Sequence, residues 1–156
     1  MAREGEAKVM VAVDESDCSQ YALKWALRNL RHSLAPPIVL FTVQNLASLT
    51  YLPAASFGVP PPELIQSVQD HQKKIALGIL DRAKELCAQE GIIAETVTEV
   101  GDPKEAICEA AEKLKINLLI LGNHGRGALQ RAFLGSVSNY CVHNAKCPVL
   151  VVKNSM

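Results

Sequence analysis

Five short apolar runs are spaced along this chain, and the segments between them read as helices and loops. The runs are residues 8–13 (KVMVAV), 38–43 (IVLFTV), 93–100, 118–121 (LLIL) and 148–152 (PVLVV). Each has the length of a strand. They are apolar throughout rather than alternating, so both faces of the sheet they form are expected to be covered. Thr96, Val97 and Thr98 add β-branching to the third run.

The connecting segments carry helix signals. Asp17 and Gln20 have the spacing of a capping box, and Leu23, Leu27, Leu30 and Leu34 trace one stripe. This predicts a helix over about 19–32, with Pro36-Pro37 breaking the pattern. A second helix is predicted over about 63–90, with Pro62 at its first position and Gly91 just past its end. Ile75, Ile79, Ala83 and Leu86 mark its inner face. Asp102-Pro103 reads as an N-cap followed by proline at N1, opening a helix whose Ile107, Ala110, Ala111 and Leu114 face inward. A last helix is predicted from Ser136 to about Asn144. Residues 44–62 show no period and contain four prolines, which reads as a long loop.

The resulting order is βαβαβαβαβ. It predicts a doubly wound α/β domain with an open, mostly parallel five-stranded sheet, order 3-2-1-4-5, and helices on both faces. At 156 residues with 49% apolar content, one domain over 1–156 with a real core is expected.

Bulk properties narrow the partners. Sixteen basic residues balance sixteen acidic ones, so no overall field draws the chain to nucleic acid or to an anionic membrane. Aromatics make up only 4%, too few for a base-stacking platform. No apolar run approaches the roughly 20 residues needed to span a bilayer. The first ten residues, MAREGEAKVM, lack the apolar centre of a secretory signal. The expectation is a cytoplasmic protein, with the nucleus open to a chain this small. Five cysteines without a Cys-x-x-Cys read as buried small hydrophobes. Cys141, His143 and Cys147 lie close in sequence, but the spacing matches no standard zinc knuckle, and no metal site is assigned.

The chemistry concentrates between residues 122 and 138, GNHGRGALQRAFLGSVS. Gly122 and Gly125 follow a strand, and nine residues later Gly135-Ser136 opens a helix. Glycines let a backbone approach a ligand closely, and the free N–H groups of a helix N-terminus favour an anion. Strand, glycine loop and Ser-led helix together read as a phosphate cradle; the alternative is a glycine-rich surface turn. In open parallel sheets ligands sit beyond the strand C-termini where strand order switches. Val13 and Asp14 end the first strand, Val43 the second and Gly122 the fourth. Asp14 there could accept from ribose hydroxyls, or serve to cap the following helix. The P-loop pattern, the dinucleotide glycine spacing and Gly-x-Ser-x-Gly are all missing.

Three segments resemble the universal stress protein family of the ATP-binding type, most nearly its single-domain plant forms. Gly122-Asn123-His124-Gly125, nine residues, then Gly135-Ser136 matches the family's Gly-x-x-Gly…Gly-Ser/Thr signature. AVDES at 12–16 matches its first strand ending, and CPVLVVK at 147–153 its last strand. The resemblance covers about residues 8–153. It implies a Rossmann-like fold of the adenine nucleotide alpha hydrolase kind, and an adenine nucleotide, ATP or AMP, with any Mg2+ carried on the phosphates. It implies ribose contacts at Asp14 and Gly122, with Val13 beside them, and adenine recognition by the Val43 backbone. Gly125, Gly135, Ser136, Val137 and Ser138 would hold the phosphates. Arg126, where many plant members have Tyr, could add a phosphate contact, the favoured alternative being a solvated loop charge. His124 is assigned no catalytic role. A homodimer through the last strand, Val149–Val152, is implied by the resemblance and by that strand's place at a sheet edge. A nucleotide-dependent regulatory or protective dimer is the leading expectation. The alternatives are a slow ATPase or phosphotransferase, and a nucleotide-independent chaperone-like adaptor recruiting a protein partner through residues 44–62.

Overall fold

A computed structural model of the chain describes residues 6–45, 61–123 and 135–154. The elements run β1 (Ala7–Ala12), α1 (Asp17–Asn29), β2 (Leu34–Gln44), α2 (Pro62–Gln89), β3 (Ala94–Val100), α3 (Pro103–Lys113), β4 (Leu118–Gly122), α4 (Ser136–Asn144) and β5 (Val149–Val152). The strands form one parallel sheet in the order β3-β2-β1-β4-β5, as the alternation of elements predicts.

Successive strand residues point to opposite faces, and each face has its own core. On one side Val9, Val11, Leu40 and Ile120 pack against Ala22, Leu23, Ala26 and Leu27 of α1 and Ile79, Leu80, Ala83 and Cys87 of α2. On the other, Met10, Val39, Phe41, Leu119 and Leu121 meet Ala106, Ile107, Ala110 and Ala111 of α3 and Cys141 of α4. This two-sided burial is why β1, β2 and β4 are mainly apolar; the expectation of apolar strands throughout is corrected at β3, an edge strand that carries Glu95, Thr96, Thr98 and Glu99 and has no fully buried residue.

The helix ends follow local chemistry. Ser16 is the N-cap of α1, its hydroxyl accepting from the Ser19 N–H at 3.2 Å. The expected capping box at Asp17 is therefore corrected: Asp17 sits in the first turn, where its charge favours the helix dipole. Asp102 caps α3, accepting from the Lys104 N–H at 3.1 Å, with Pro103 at N1 as predicted. Pro62 opens α2, and Gly91 follows its end at φ +70°, the left-handed conformation that favours glycine there.

Three further expectations are corrected. Leu34 does not continue the α1 stripe; it is buried as the first residue of β2. Pro36 and Pro37 do not precede β2 but lie inside it, joined by a cis peptide. Lys8 pairs with Ala35 and Met10 with Val39, so the prolines occupy an irregularity in the register. There a missing N–H costs no ladder bond. On α2 the buried stripe is Ala76, Ile79, Leu80, Ala83 and Cys87, while Ile75 is 36% exposed. The stripe is rotated by one position from the expected face, because Ala76 and Leu80 both pack inward.

Among the described residues no helix is long and apolar enough to cross a membrane. Residues 46–60, the greater part of the expected long loop, lie outside the described residues.

Candidate functional site

A cleft of about 260 Å³ opens beyond the C-terminal ends of β1, β2 and β4. The chain leaves β1 toward α1 and β4 toward α4, which pack on opposite faces, so the strand ends splay apart here. Val13, Asp14, Val43, Gly122, Val137 and Ser138 all line this cleft. Six positions singled out from the sequence, 15 to 125 residues apart except for immediate neighbours, thus share one concave surface. Gly135 and Ser136 stand at the head of α4, next to the lining Val137. Gly125, Arg126 and His124 lie outside the described residues.

The backbone at the end of β2 is aimed by the ladder. Val13 N–H donates to the Phe41 carbonyl at 2.8 Å. In a parallel strand the N–H and C=O of a residue point to one side and those two residues on point the same way. Val43 therefore turns its backbone groups toward the β1 side, beyond the end of β1 at Ala12. That geometry suits a planar heterocycle edge with donor and acceptor atoms side by side.

Asp14 is half-buried and fixed by its neighbours. Its N–H donates to Ser19 Oγ at 2.9 Å, and its Oδ1 accepts from the Ser16 N–H at 2.8 Å. Capping of α1 falls to Ser16. The carboxylate is thus held by the turn at the cleft's rim.

Gly122 is required for space rather than for an unusual φ. A Cβ on it would lie 2.5 Å from the Cys18 carbonyl oxygen, 2.7 Å from that carbon and 3.0 Å from Ser19 N. The first turn of α1 occupies the room a side chain would need.

Among the described residues, no N-cap side chain closes the head of α4. Ser16 and Asp102 cap α1 and α3, whereas α4 has Gly135 as N-cap and no side-chain cap bond. The N–H groups of its first turn, Ser136, Val137 and Ser138, have no acceptor within the helix. Ser138 Oγ donates to the Gly122 carbonyl at 3.1 Å and is buried. Its hydroxyl proton is committed to the fold, so toward an anion Ser138 offers its backbone N–H.

Several contributors escape a reading by sequence. Thr42 and Asn45 line the cleft from the end of β2, and Pro103 and Ile107 from α3. Ile107 carries only a core signal in the sequence, yet it serves both the core and the cleft wall. Proline after Asp102 marks a helix start, but its nearness to the cleft follows from the sheet order. Asn123 is 7% exposed, and its Oδ1 accepts from the Gly135 N–H at 2.7 Å.

Beneath the cleft, α3 and α4 meet through thiols. Cys108 Sγ lies 3.7 Å from Cys141 Sγ. Burial pushes the Cys141 thiol up to about 12 and raises Cys108 and Cys147 as well. All five cysteines are free thiols. His143 is exposed and its Nδ1 donates to the Asn139 carbonyl at 2.8 Å, away from buried Cys141. Among the described residues no three metal-ligating side chains cluster.

Residues 7–153 match the universal stress protein family. The chain is 31% identical over 153 residues to universal stress protein YxiE of Bacillus subtilis, covering 94% of this chain and 98% of that one. A universal stress protein family protein of Arabidopsis thaliana, solved with AMP bound, superposes with a TM-score of 0.67 at 27% identity, covering 96% of this chain and 93% of that one. A universal stress protein solved in complex with cAMP superposes with a TM-score of 0.65 at 25% identity, covering 96% and 98%. With the sheet order, the glycine signature and these likenesses agreeing over nearly its whole length, the chain belongs to the universal stress protein family.

Proposed function

We propose that this protein binds an adenine nucleotide, ATP or AMP, in the cleft at the strand C-termini and acts through the bound state. The observation that supports this most is the joining of three ingredients in one concavity. These are the Val43 backbone facing the end of β1, the Asp14 carboxylate at the rim, and the uncapped head of α4 beside Val137 and Ser138. Adenine lies against Val43, between apolar Phe41, Ile107 and Leu121. The ribose meets Asp14, Val13 and Gly122. The phosphates meet the N–H groups of Gly125 and of Ser136, Val137 and Ser138, with Arg126 adding charge and any Mg2+ riding on the phosphates. Gly135 lets the chain pass close to the phosphates without a side chain. AMP and cAMP in two structural relatives support the ligand class.

The protein works as a homodimer joined through β5, whose outer edge pairs with a second copy. Hydrolysis, if it occurs, is too slow to be the purpose of binding. Calorimetry with ATP, ADP, AMP and adenosine tests the central claim. Gly135→Val is expected to abolish nucleotide binding with the circular dichroism spectrum unchanged. Folded wild-type protein that binds none of these ligands at millimolar concentration refutes it.

A further inference from the structure

Asn123 links two segments that the nucleotide cradle needs in fixed relation. It is the first residue after β4. Its own N–H donates to the Val152 carbonyl at 3.2 Å, so its backbone is anchored to the end of β5. Its side chain is 7% exposed and accepts from the Gly135 N–H at 2.7 Å, twelve positions further on. Gly135 is the N-cap of α4. A buried side-chain acceptor therefore takes up the N–H that would otherwise point freely at the head of this helix. A second tie joins the same two segments, the Ser138 hydroxyl to the Gly122 carbonyl at 3.1 Å. Two bonds fix both the position and the rotation of a helix end; one would leave it free to pivot.

From this geometry we propose that Asn123 is a positioning residue for phosphate recognition. It holds the head of α4 against β4 so that the Ser136, Val137 and Ser138 N–H groups converge on the phosphates. This rests on the nucleotide reading above. The residue type fits the task. An amide oxygen accepts from Gly135 without bringing charge, whereas a carboxylate in the same place would accept equally well and repel the phosphates beside it. A serine hydroxyl, one carbon shorter, would fall short of the same donor. Asn123 makes no claim on the ligand itself; its effect passes through Gly135 and α4.

The test separates positioning from plain stability by comparing ligands that differ only in phosphate. Asn123→Ala and Asn123→Asp are measured by calorimetry against ATP, AMP and adenosine, with thermal unfolding alongside. Asn123→Ala is expected to weaken ATP and AMP about tenfold, the size of one lost buried hydrogen bond, and to leave adenosine within twofold. Asn123→Asp is expected to keep the melting temperature, weaken ATP more than AMP, and leave adenosine alone. If Asn123→Ala does not fold, the Asp variant supplies the same comparison. The Gly135 amide gives a readout independent of ligand: its hydrogen exchange should quicken in Asn123→Ala and stay slow in Asn123→Asp. Equal losses for ATP and adenosine, or ATP binding unchanged in both variants, overturn the positioning role while the nucleotide reading stands. Wild-type protein that binds neither ATP nor AMP removes the nucleotide reading, and this role with it.

Discussion

Replacing Gly122 by alanine adds one methyl group, and the structure says where that methyl must go. Its nearest neighbours are backbone atoms of Cys18 and Ser19 at 2.5 to 3.0 Å. A flexible side chain could swing aside, but a peptide in the first turn of α1 cannot. The helix would have to retreat by several tenths of an ångström from β4, loosening Ala22, Leu23 and Ala26, which are almost fully buried against the sheet. Overpacking of this kind costs about 1–3 kcal/mol, and the rigid neighbours place Gly122→Ala at the upper end, about 3 kcal/mol. For a chain of this size each kcal/mol moves the melting point by about 2–4 °C, so a loss of about 6–12 °C is expected. Gly78→Ala is the matched control. Gly78 lies inside α2, where a Cβ would come no nearer than 3.9 Å, to Arg82 Nη1. There the change should stabilise by about 0.5–1 kcal/mol, since glycine is a poor helix residue. Urea unfolding followed by circular dichroism measures both. The same retreat would drag Ser19 and, through its hydroxyl, the Asp14 N–H, so nucleotide affinity should fall with stability. If Gly122→Ala lies within 1 kcal/mol of wild type, the close packing of α1 on β4 is not what this glycine is for.

The buried thiols give a pH dependence whose sign is fixed. Burial raises Cys87 to about 11 and Cys141 to about 12, whereas unfolded thiols ionise near 8.5–9. Below about pH 8 both states hold these protons and nothing changes; above it the unfolded chain releases protons the fold retains, so stability falls as pH rises toward 11 and 12. Cys87 alone contributes roughly 2–3 kcal/mol of that loss, and Cys87→Ala should flatten the decline in melting temperature over the same range. At the sheet edge, Pro148 and Val152 carbonyls accept from β4 and the following segment, which turns Val149 and Val151 outward. Val151→Pro therefore removes an outward N–H, and light scattering at ~50 μM, a range suited to a moderate interface, should show monomer where wild type shows dimer; a monomeric wild type ends the dimer proposal. Steady ATP turnover should stay below about 1 s⁻¹, and faster turnover lost in Asp14→Ala would favour the enzyme reading.

What the sequence disclosed was whatever depends on period and punctuation. The sheet order and helix placement follow from apolar runs of strand length, Asp102-Pro103, Pro62 and Gly91. Ser16 was hidden because four capping-capable residues, Asp14, Ser16, Asp17 and Ser19, crowd one turn, and only backbone geometry selects among them. Pro36-Pro37 misled because proline denies an N–H to any ladder, yet the register skips those positions. In the candidate site, residues that end strands were legible, because the strand C-terminal edge is a general location for ligands. Pro103, Ile107 and Asn123 were not, because their part depends on contacts across the sheet and between segments twelve or more residues apart.

The ties around the cleft bear on what kind of work it can do. Val13 is bonded to Phe41, Asp14 to Ser19, Gly122 to Ser138, and Asn123 to both Gly135 and Val152. Each ties one part of the rim to another, so the described donors and acceptors at these positions are set before a ligand arrives, which lowers the ordering cost they bring to binding. Such fixed backbone groups hold a nucleotide's ground state as well as its transition state, which raises affinity without raising rate. Phosphoryl transfer asks for more: a metal held in place, charge brought onto the γ-phosphate and a nucleophile aligned behind it. The end of β4, where an acid would hold metal, is Gly122, and α1 leaves no room there for a side chain. A glycine forced by packing at the end of β4 denies that position to a metal-binding carboxylate, which accords with the proposal that this cleft holds a nucleotide rather than turning it over.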